Sequence, residues 1–317
     1  MGRGSRCRPR CNAWCNVSLI ESSLEKLRQA ASGTKSASAA VVREPVVREP
    51  VTLLREVSTA PEPRYVHRRI TLDLARLRAD GYLPDPRQER RFADWCHRVK
   101  RPVIERALAR GGADEARMIL LTSALPGDGK TFIALNLALS MARERDVSLL
   151  LVDGDLPRAR ISQLLNLQHE TGLLNALRDD RMDVESLVLD TGVPGLEVLA
   201  AGQAPEGATE LLASVRMREI AQRLVSRNPR RLILIDAPPV LVSTEARALL
   251  AIPGQIVLVA RAGQTPQQAV VDALTHIDKA KLRGLVVNDA HVGEDRGYYG
   301  YDYDYAPASS AEPAKKA

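Results

Sequence analysis

The chain has 317 residues, of which 45% are hydrophobic, and its 45 Lys and Arg against 39 Asp and Glu give a formal net charge of +6. This composition is that of a globular protein with one large or two ordinary domains, and so modest a charge predicts no nucleic-acid partner. No run of about 18 apolar residues is present, and the arginine-rich N-terminus lacks the apolar stretch of a signal peptide, so we expect a cytoplasmic protein.

Residues 1–64 are predicted to form a disordered N-terminal region and linker. The segment "VVREPVVREP" from Val41 to Pro50 repeats five residues in tandem, and each proline blocks helix formation and central-strand pairing. One short helix is predicted before this repeat, because Leu19, Leu24 and Leu27 fall near helical spacing in "SLIESSLEKLRQA".

The four cysteines show no paired disulfide framework, which agrees with a reducing compartment. Cys7, Cys11 and Cys15 have an even spacing that would place three thiols on one helix face. However, the stretch contains a proline and offers neither a nearby histidine nor a fourth cysteine, so we expect no metal site there.

Residues 65–112 are predicted to be helical. In "ERRFADWCHRVKRPVIERALARGG" one helix face can carry five large apolar residues, and the pair Gly111-Gly112 ends the segment. These residues are Phe92, Trp95, Val99, Ile104 and Leu108. The helix either packs against the domain that follows or forms an oligomer contact.

Residues 113–292 alternate short apolar runs with helical stretches, which predicts a mostly parallel, twisted α/β sheet with helices on both faces. The runs are rich in Val, Ile and Leu without alternation, as in strands covered on both sides. They are "MILLTS", "VSLLLVD", "LEVLAA", "RLILIDA", "QIVLVAR" and "RGLVVND". The predicted helices are 130–145, 208–227 and 266–280. Ligands of such sheets bind beyond the carboxyl ends of the strands.

The segment "SALPGDGKT" lies between a predicted strand and a predicted helix, as in a P-loop that binds ATP. Glycine at 127 and 129 lets backbone N–H groups point at phosphate oxygens, and Lys130 supplies a cation to the β and γ phosphates. Ala124 stands where the strict pattern has glycine. The predicted nucleotide contacts in this loop are Pro126, Gly127, Asp128, Gly129, Lys130, Thr131 and Phe132.

Three aspartates follow two other predicted strands, and a buried carboxylate there is costly unless it has a partner. Asp153 and Asp155 stand in "VDGD", and Asp236 ends "LILID". Mg²⁺ prefers oxygen ligands and would be held by Thr131, Asp153 and Asp236. The capping of a following helix explains Asp155 more easily than the other two.

Together these motifs resemble the bacterial tyrosine kinases of capsule and exopolysaccharide systems, which have a P-loop NTPase fold. The resemblance rests on "SALPGDGKT", "VDGDLPR", "DAPP" and the C-terminal "YYGYDYDY", and it covers roughly residues 65–305. More narrowly, "SLIESSLEKLRQA", "LRADGYLPD", "KRPVIERAL" and "AGQAPEGATELLAS" are similar to the exosortase-associated tyrosine autokinases. That subgroup typically begins with methionine before Ser-Leu-Ile-Glu, so we hypothesise that translation starts at Val17 and that residues 1–16 are a mis-assigned start.

The resemblance implies ATP-dependent autophosphorylation of tyrosines in a flexible tail, residues 293–317. The implied catalytic residues are Lys130, Asp153 and Asp155, with Asp153 orienting the acceptor hydroxyl. Asn288 either reads the adenine edge or forms a strand-end turn, and Arg158 either contacts phosphate or lies on the surface. The implied acceptors are Tyr298, Tyr299, Tyr301, Tyr303 and Tyr305.

The family also implies partners: a membrane polysaccharide copolymerase on a separate chain as activator, a tyrosine phosphatase, and further copies of the protein in an oligomer. Such an activator would contact residues 65–112, and a peripheral position at the inner face of the cytoplasmic membrane follows from it. The family's oligomerising motif Glu-x-x-Arg-x-x-Arg would align with Asp94, His97 and Lys100, which keeps the charge signs but shortens the reach. The alternative is an ATP-switched scaffold of the partitioning ATPase class, whose signature lysine is replaced here by Leu125.

Overall fold

The computed structural model describes residues 67–109, 112–203 and 208–290, and the backbone of residues 16–19. These residues form one nine-stranded sheet with the strand order β1-β9-β8-β3-β7-β4-β6-β5-β2. The strands are β1 Asn16–Leu19, β2 Arg68–Arg69, β3 Met118–Ser123, β4 Ser148–Asp153, β5 Leu189–Asp190, β6 Leu196–Leu199, β7 Arg231–Asp236, β8 Gln255–Arg261 and β9 Leu282–Ala290. The β1–β9 and β5–β6 pairs are antiparallel and the others are parallel.

The helices of the described residues cover both faces of the sheet. They are α1 Leu74–Ala79, α2 Glu89–Ala107, α3 Lys130–Met141, α4 Arg160–Leu164, α5 Leu173–Arg178, α6 Ala208–Leu212, α7 Val215–Ser226, α8 Thr244–Leu249 and α9 Gln267–Thr275, with 3₁₀ turns at Asp114–Arg117 and Val184–Leu187. Buried residues of α1 to α4 belong to one hydrophobic core, and those of α5 to α9 belong to a second.

Strand β3 shows why the apolar runs do not alternate with polar residues. Its successive side chains point to opposite faces, so Leu120 joins one core while Ile119 and Leu121 join the other. Both faces are therefore dry, and every residue of β3 is buried. The six predicted strands and the doubly covered, mostly parallel sheet are confirmed.

Other elements differ from the predictions. The helix predicted over 208–227 is two helices, because Ser214 accepts a hydrogen bond from the Met217 N–H and so caps the start of α7. The segment predicted to be helical contains strand β2 and a turn before α2, and Leu108 is 43% exposed, whereas Val103 fills the buried face of α2. Strand β1 lies in the region predicted to be disordered, where it pairs with the outer edge of β9, and its Ser18 and Leu19 fall in the stretch predicted to form a short helix.

Helix α2 packs along α3. The Phe92 ring meets Phe132 edge-on at a centroid distance of 5.7 Å. Near the C-terminal end of α3, Lys100 of α2 is 5% exposed. Its Nζ donates to the Ser140 carbonyl at 3.0 Å and pairs with Glu144 at 2.7 Å. This packing favours the prediction that the helix rests on its own domain. It also removes Lys100 from the surface on which an oligomerising motif would act.

A buried ionic cluster lies at the amino end of the central strands. Arg231 donates to both carboxylate oxygens of Glu185, at 2.8 and 2.7 Å, and to Glu197 at 3.0 Å. The His67 ring lies 2.8 Å from the second oxygen of Glu197. Strand β2 is thereby tied to the sheet at the end opposite the predicted site. None of the helices in the described part of the chain is long and apolar enough to cross a membrane.

Candidate nucleotide and metal site

The glycine-bearing loop connects β3 to α3, as predicted. Gly127 and Gly129 have φ values of +91° and +88°, a region that side chains strain to adopt. A Cβ on Gly129 would also lie 2.1 Å from the Asn288 Nδ2, so a side chain at this position would have to displace the Asn288 amide. The left-handed turn at Gly129 starts α3 at Lys130 and leaves the first N–H groups of that helix for a ligand.

Asp128 holds the loop in shape. Its Oδ2 accepts from the Leu125 N–H at 3.0 Å, and its Oδ1 accepts from the Thr265 hydroxyl at 2.6 Å. The Asn288 Nδ2 donates to the Asp128 carbonyl at 3.0 Å. The side chains of Asp128 and Asn288 therefore brace the loop from within, and contact of Asn288 with adenine stays a prediction. Thr265 was not predicted, because nothing in the sequence links it to a loop 137 residues away.

The lysine of the loop lies among the predicted aspartates. Lys130 Nζ is 2.6 Å from Asp155 Oδ2 and 3.9 Å from Asp236 Oδ1, and the Thr131 hydroxyl donates to Asp236 Oδ2 at 2.8 Å. Asp153 and Asp236 are direct neighbours in the β4–β7 register. Because these strands are parallel, their carboxyl ends meet at one edge, and the fold brings the four predicted residues of the site together with Thr131.

Burial disturbs the ionisation of two of these carboxyls. Desolvation, aided by the negative charge of Asp236, raises the pKa of Asp153 to about 7, against the effect of two hydrogen bonds from Ser162. Desolvation also raises the pKa of Asp236 to about 6, although Lys130 and Thr131 counter it. The site therefore holds more carboxylate charge than one ammonium group balances.

A divalent cation fits this site. Asp153, Asp155 and Asp236 are at most 1% exposed, and each has a buried Oδ1 that accepts no hydrogen bond. Unpartnered buried carboxylate oxygens are costly, and Mg²⁺ takes oxygen ligands. No group of three His, Cys, Asp or Glu side chains in the described ranges forms a metal cage by itself. Mg²⁺ commonly completes its shell with phosphates and water, so one or two of these oxygens suffice.

The remaining predicted residues are less involved in the site. Phe132 turns its ring to Phe92, which leaves only its backbone at the loop. Pro126 and Gly127 form the exposed rim of the loop, and Arg158 is exposed. The five tail tyrosines lie outside the described residues. Sequence reasoning missed Ser162, whose backbone N–H and hydroxyl both donate to Asp153 Oδ2 at 2.7 Å, because a serine within a short helix carries no recognisable signal.

A glycine loop, its lysine and strand-end carboxylates on a parallel sheet define a P-loop nucleotide-binding protein. No protein-family profile matches the chain. It is 30% identical over 190 residues to the tyrosine-protein kinase YwqD of Bacillus subtilis, a match that covers 59% of this chain and 78% of YwqD. The chain therefore belongs to the bacterial tyrosine-protein kinases. Membership of the exosortase-associated subgroup stays a prediction.

Two other relatives extend this comparison. The tyrosine-protein kinase ptk of Acinetobacter johnsonii is 30% identical over 174 residues, which is 54% of this chain but 23% of ptk. The chain spans about a quarter of the length of the first relatives it matches. Among solved structures, the VpsO kinase domain is similar with 26% identity and a TM-score of 0.55, covering 65% of this chain and 100% of that domain.

Proposed function

We propose that this protein is a tyrosine autokinase that transfers the γ-phosphoryl group of ATP to tyrosines of its own tail, and that it regulates exopolysaccharide polymerisation and export. One observation carries the proposal: the loop lysine and three buried carboxylates, each with an oxygen that accepts no hydrogen bond, meet at the carboxyl edge of the sheet. Such a site positions a nucleotide and neutralises charge, which is what phosphoryl transfer requires.

The loop and Lys130 bind the triphosphate. The backbone N–H groups from Gly127 to Thr131 surround the β and γ phosphates, and Lys130 contacts them through its ammonium group. That group is paired with Asp155 at 2.6 Å, so the phosphates compete with a carboxylate for the same cation. Asp155 thus keeps the lysine at the site and supplies its counter-charge, which is its role in the reaction.

Mg²⁺, when bound, neutralises charge on the phosphates and on the leaving group. Thr131 and Asp153 would hold it, with Asp236 acting directly or through water. The hydrogen bond from Thr131 to Asp236 already joins two of these groups at 2.8 Å.

Asp153 orients the acceptor hydroxyl and receives its proton at Oδ1. A free tyrosine has a pKa near 10, so the transfer needs a nearby base. In the nucleotide-free protein burial raises the pKa of Asp153 to about 7. Mg²⁺ beside this carboxylate would lower that pKa again and keep Asp153 ionised, as a proton acceptor must be.

The acceptors are Tyr298, Tyr299, Tyr301, Tyr303 and Tyr305. Each phosphate adds roughly −1.5 to −2 charges, so several of them next to Asp302 and Asp304 repel one another. The protein would then alternate between an associated, dephosphorylated form and a dispersed, phosphorylated form. A tyrosine phosphatase returns it to the first form. A membrane copolymerase on a separate chain activates it, which places it at the inner face of the cytoplasmic membrane.

Mass spectrometry of the protein after incubation with Mg-ATP, with and without a cytoplasmic copolymerase fragment, tests the proposal. We expect phosphate on the tail, and its loss in Lys130→Ala but not in the surface control Lys279→Ala. Changing the five tail tyrosines to phenylalanine should abolish labelling, whereas Tyr82→Phe should not. ATP hydrolysis with an unmodified tail would instead indicate an ATP-switched scaffold.

A further inference from the structure

Asp153 is held by a residue that none of the motifs contains. The Ser162 N–H and hydroxyl both donate to Asp153 Oδ2, each at 2.7 Å, and Ser162 is 1% exposed. Both groups belong to α4, which starts directly after Ala159. That alanine has a φ of +42°, a conformation that costs energy in a residue with a side chain. The strained turn places the start of α4 over the end of β4.

A third contact fixes the direction of the Ser162 hydroxyl. The Ala201 N–H, just after β6, donates to Ser162 Oγ at 3.0 Å. Since the oxygen accepts there, its single proton is directed at Asp153. Ser162 therefore connects the end of β6 to the end of β4 through buried hydrogen bonds.

The consequence concerns which oxygen of Asp153 stays available. The terminal torsion of an aspartate is soft and roughly two-fold, so its two oxygens would otherwise exchange places. Two donors on Oδ2 fix the carboxylate, and Oδ1 is left as a buried oxygen without a partner, beside Asp155 and Asp236.

We propose that Ser162 is the positioning residue of the site, which fixes the Asp153 carboxylate so that Oδ1 is presented to the metal ion and to the acceptor hydroxyl. This inference rests on the proposed kinase function. Of the proposed site residues, Ser162 donates to Asp153, and we infer that it acts on the reaction through this carboxylate. Replacing Ser162 should therefore raise the Mg²⁺ requirement and slow phosphoryl transfer without changing the affinity of the loop for a nucleotide.

The test compares wild type, Ser162→Ala, Ser162→Thr and the control Ser186→Ala, whose hydroxyl bonds an exposed backbone carbonyl. Three quantities are measured: the Mg²⁺ concentration that half-saturates binding of fluorescent ADP, the ADP affinity without Mg²⁺, and kcat and KM for ATP in tail labelling. For Ser162→Ala we expect a roughly tenfold higher Mg²⁺ requirement and a roughly tenfold lower kcat. The KM for ATP and the Mg²⁺-free ADP affinity should stay within about twofold, and Ser162→Thr should restore most of the loss.

The possible results separate this inference from the proposed function. If wild type labels its tail and Ser162→Ala matches it in kcat and Mg²⁺ requirement, the inference alone is wrong. An equal fall in Mg²⁺-free ADP affinity would mean that the serine is merely structural. A Ser162→Thr variant that melts like wild type but does not recover kcat would mean that the hydroxyl does not position Asp153. If the wild-type protein never labels its tail, both the proposed function and this inference are wrong, whatever the Mg²⁺ titrations give.

Discussion

The free energy of unfolding of the nucleotide-free protein should rise as the pH falls from about 8 to about 5.5. Asp153 and Asp236 have pKa values of about 7 and about 6 in the folded state, against a usual value of 3.8. A carboxyl whose pKa is raised by folding binds more protons in the folded than in the unfolded state between those values. Stability is therefore gained as the pH falls through the folded pKa, opposite to the behaviour of a salt-bridged aspartate.

The size of the effect follows from these pKa values. Over this pH range, protonation of Asp153 adds about 2 kcal/mol and that of Asp236 about 1 kcal/mol, with almost no protonation of the unfolded chain. The two charges repel each other, so the protonations are coupled and the total is about 2–3 kcal/mol. For a folded region of this size, that corresponds to a rise in Tm of roughly 5–10 °C.

Urea denaturation at several pH values measures the effect, with the Asp153→Asn/Asp236→Asn variant as the control. The asparagines remove both titrations and leave the other ionisable groups unchanged. The difference in pH slope between wild type and variant isolates the two carboxyls. Saturating Mg-ADP should flatten the wild-type slope, because a bound cation keeps both groups ionised.

Equal pH slopes in wild type and in the double asparagine variant would refute this reasoning. The carboxyls would then be hydrated in solution, and the inference of a dry acidic site that calls for a cation would fail. A wild-type stability that falls with acidification over this range, relative to the variant, would have the same meaning.

Gly129→Ala should weaken ADP binding roughly tenfold, about 1.4 kcal/mol, because its Cβ would lie 2.1 Å from Asn288 Nδ2. If Asn288→Gly in the same chain restores no binding in fluorescence titrations, the strain of φ +88° rather than the clash is decisive. Thr131→Val should raise the Mg²⁺ concentration for half-maximal ADP binding roughly tenfold, and an unchanged requirement would contradict its role as a ligand. Arg231→Met should lower the free energy of unfolding by about 3–5 kcal/mol, because it leaves Glu185 buried with only the His67 ring, at 3.4 Å, beside its carboxylate. A loss below about 1 kcal/mol in urea denaturation would show that water reaches this cluster.

Strands and loop were predictable because their signals are local. An unbroken run such as Met118–Ser123 has one physical explanation in a chain of this length, namely a strand dry on both faces. The break between α6 and α7 was missed, although Ser214 is a good cap residue, because the apolar pattern continues across it. Strand β1 was missed because its partner, the edge of β9, is distant in sequence.

The site could be predicted where its chemistry is encoded in neighbouring residues. Lys130 and the three aspartates stand in recognisable motifs, and the parallel register of β4 and β7 places Asp153 beside Asp236. The residues that position the loop and the aspartates could not be predicted in this way. Thr265 reaches Asp128 across 137 positions, and Ser162 depends on the strained turn at Ala159. Such support is decided by the tertiary fold, which leaves no local pattern to recognise.

Helix α2 contacts both ends of α3: Phe92 packs against Phe132 near the start of α3, and Lys100 donates to the Ser140 carbonyl near its end. Phe132 directly follows Thr131, so the aromatic contact lies one residue from a predicted metal ligand. Any rigid displacement of α2 must either move α3 with it or break the aromatic contact and the Lys100–Ser140 hydrogen bond together. A protein that pulls on α2 thus has a mechanical route to the nucleotide that bypasses the sheet.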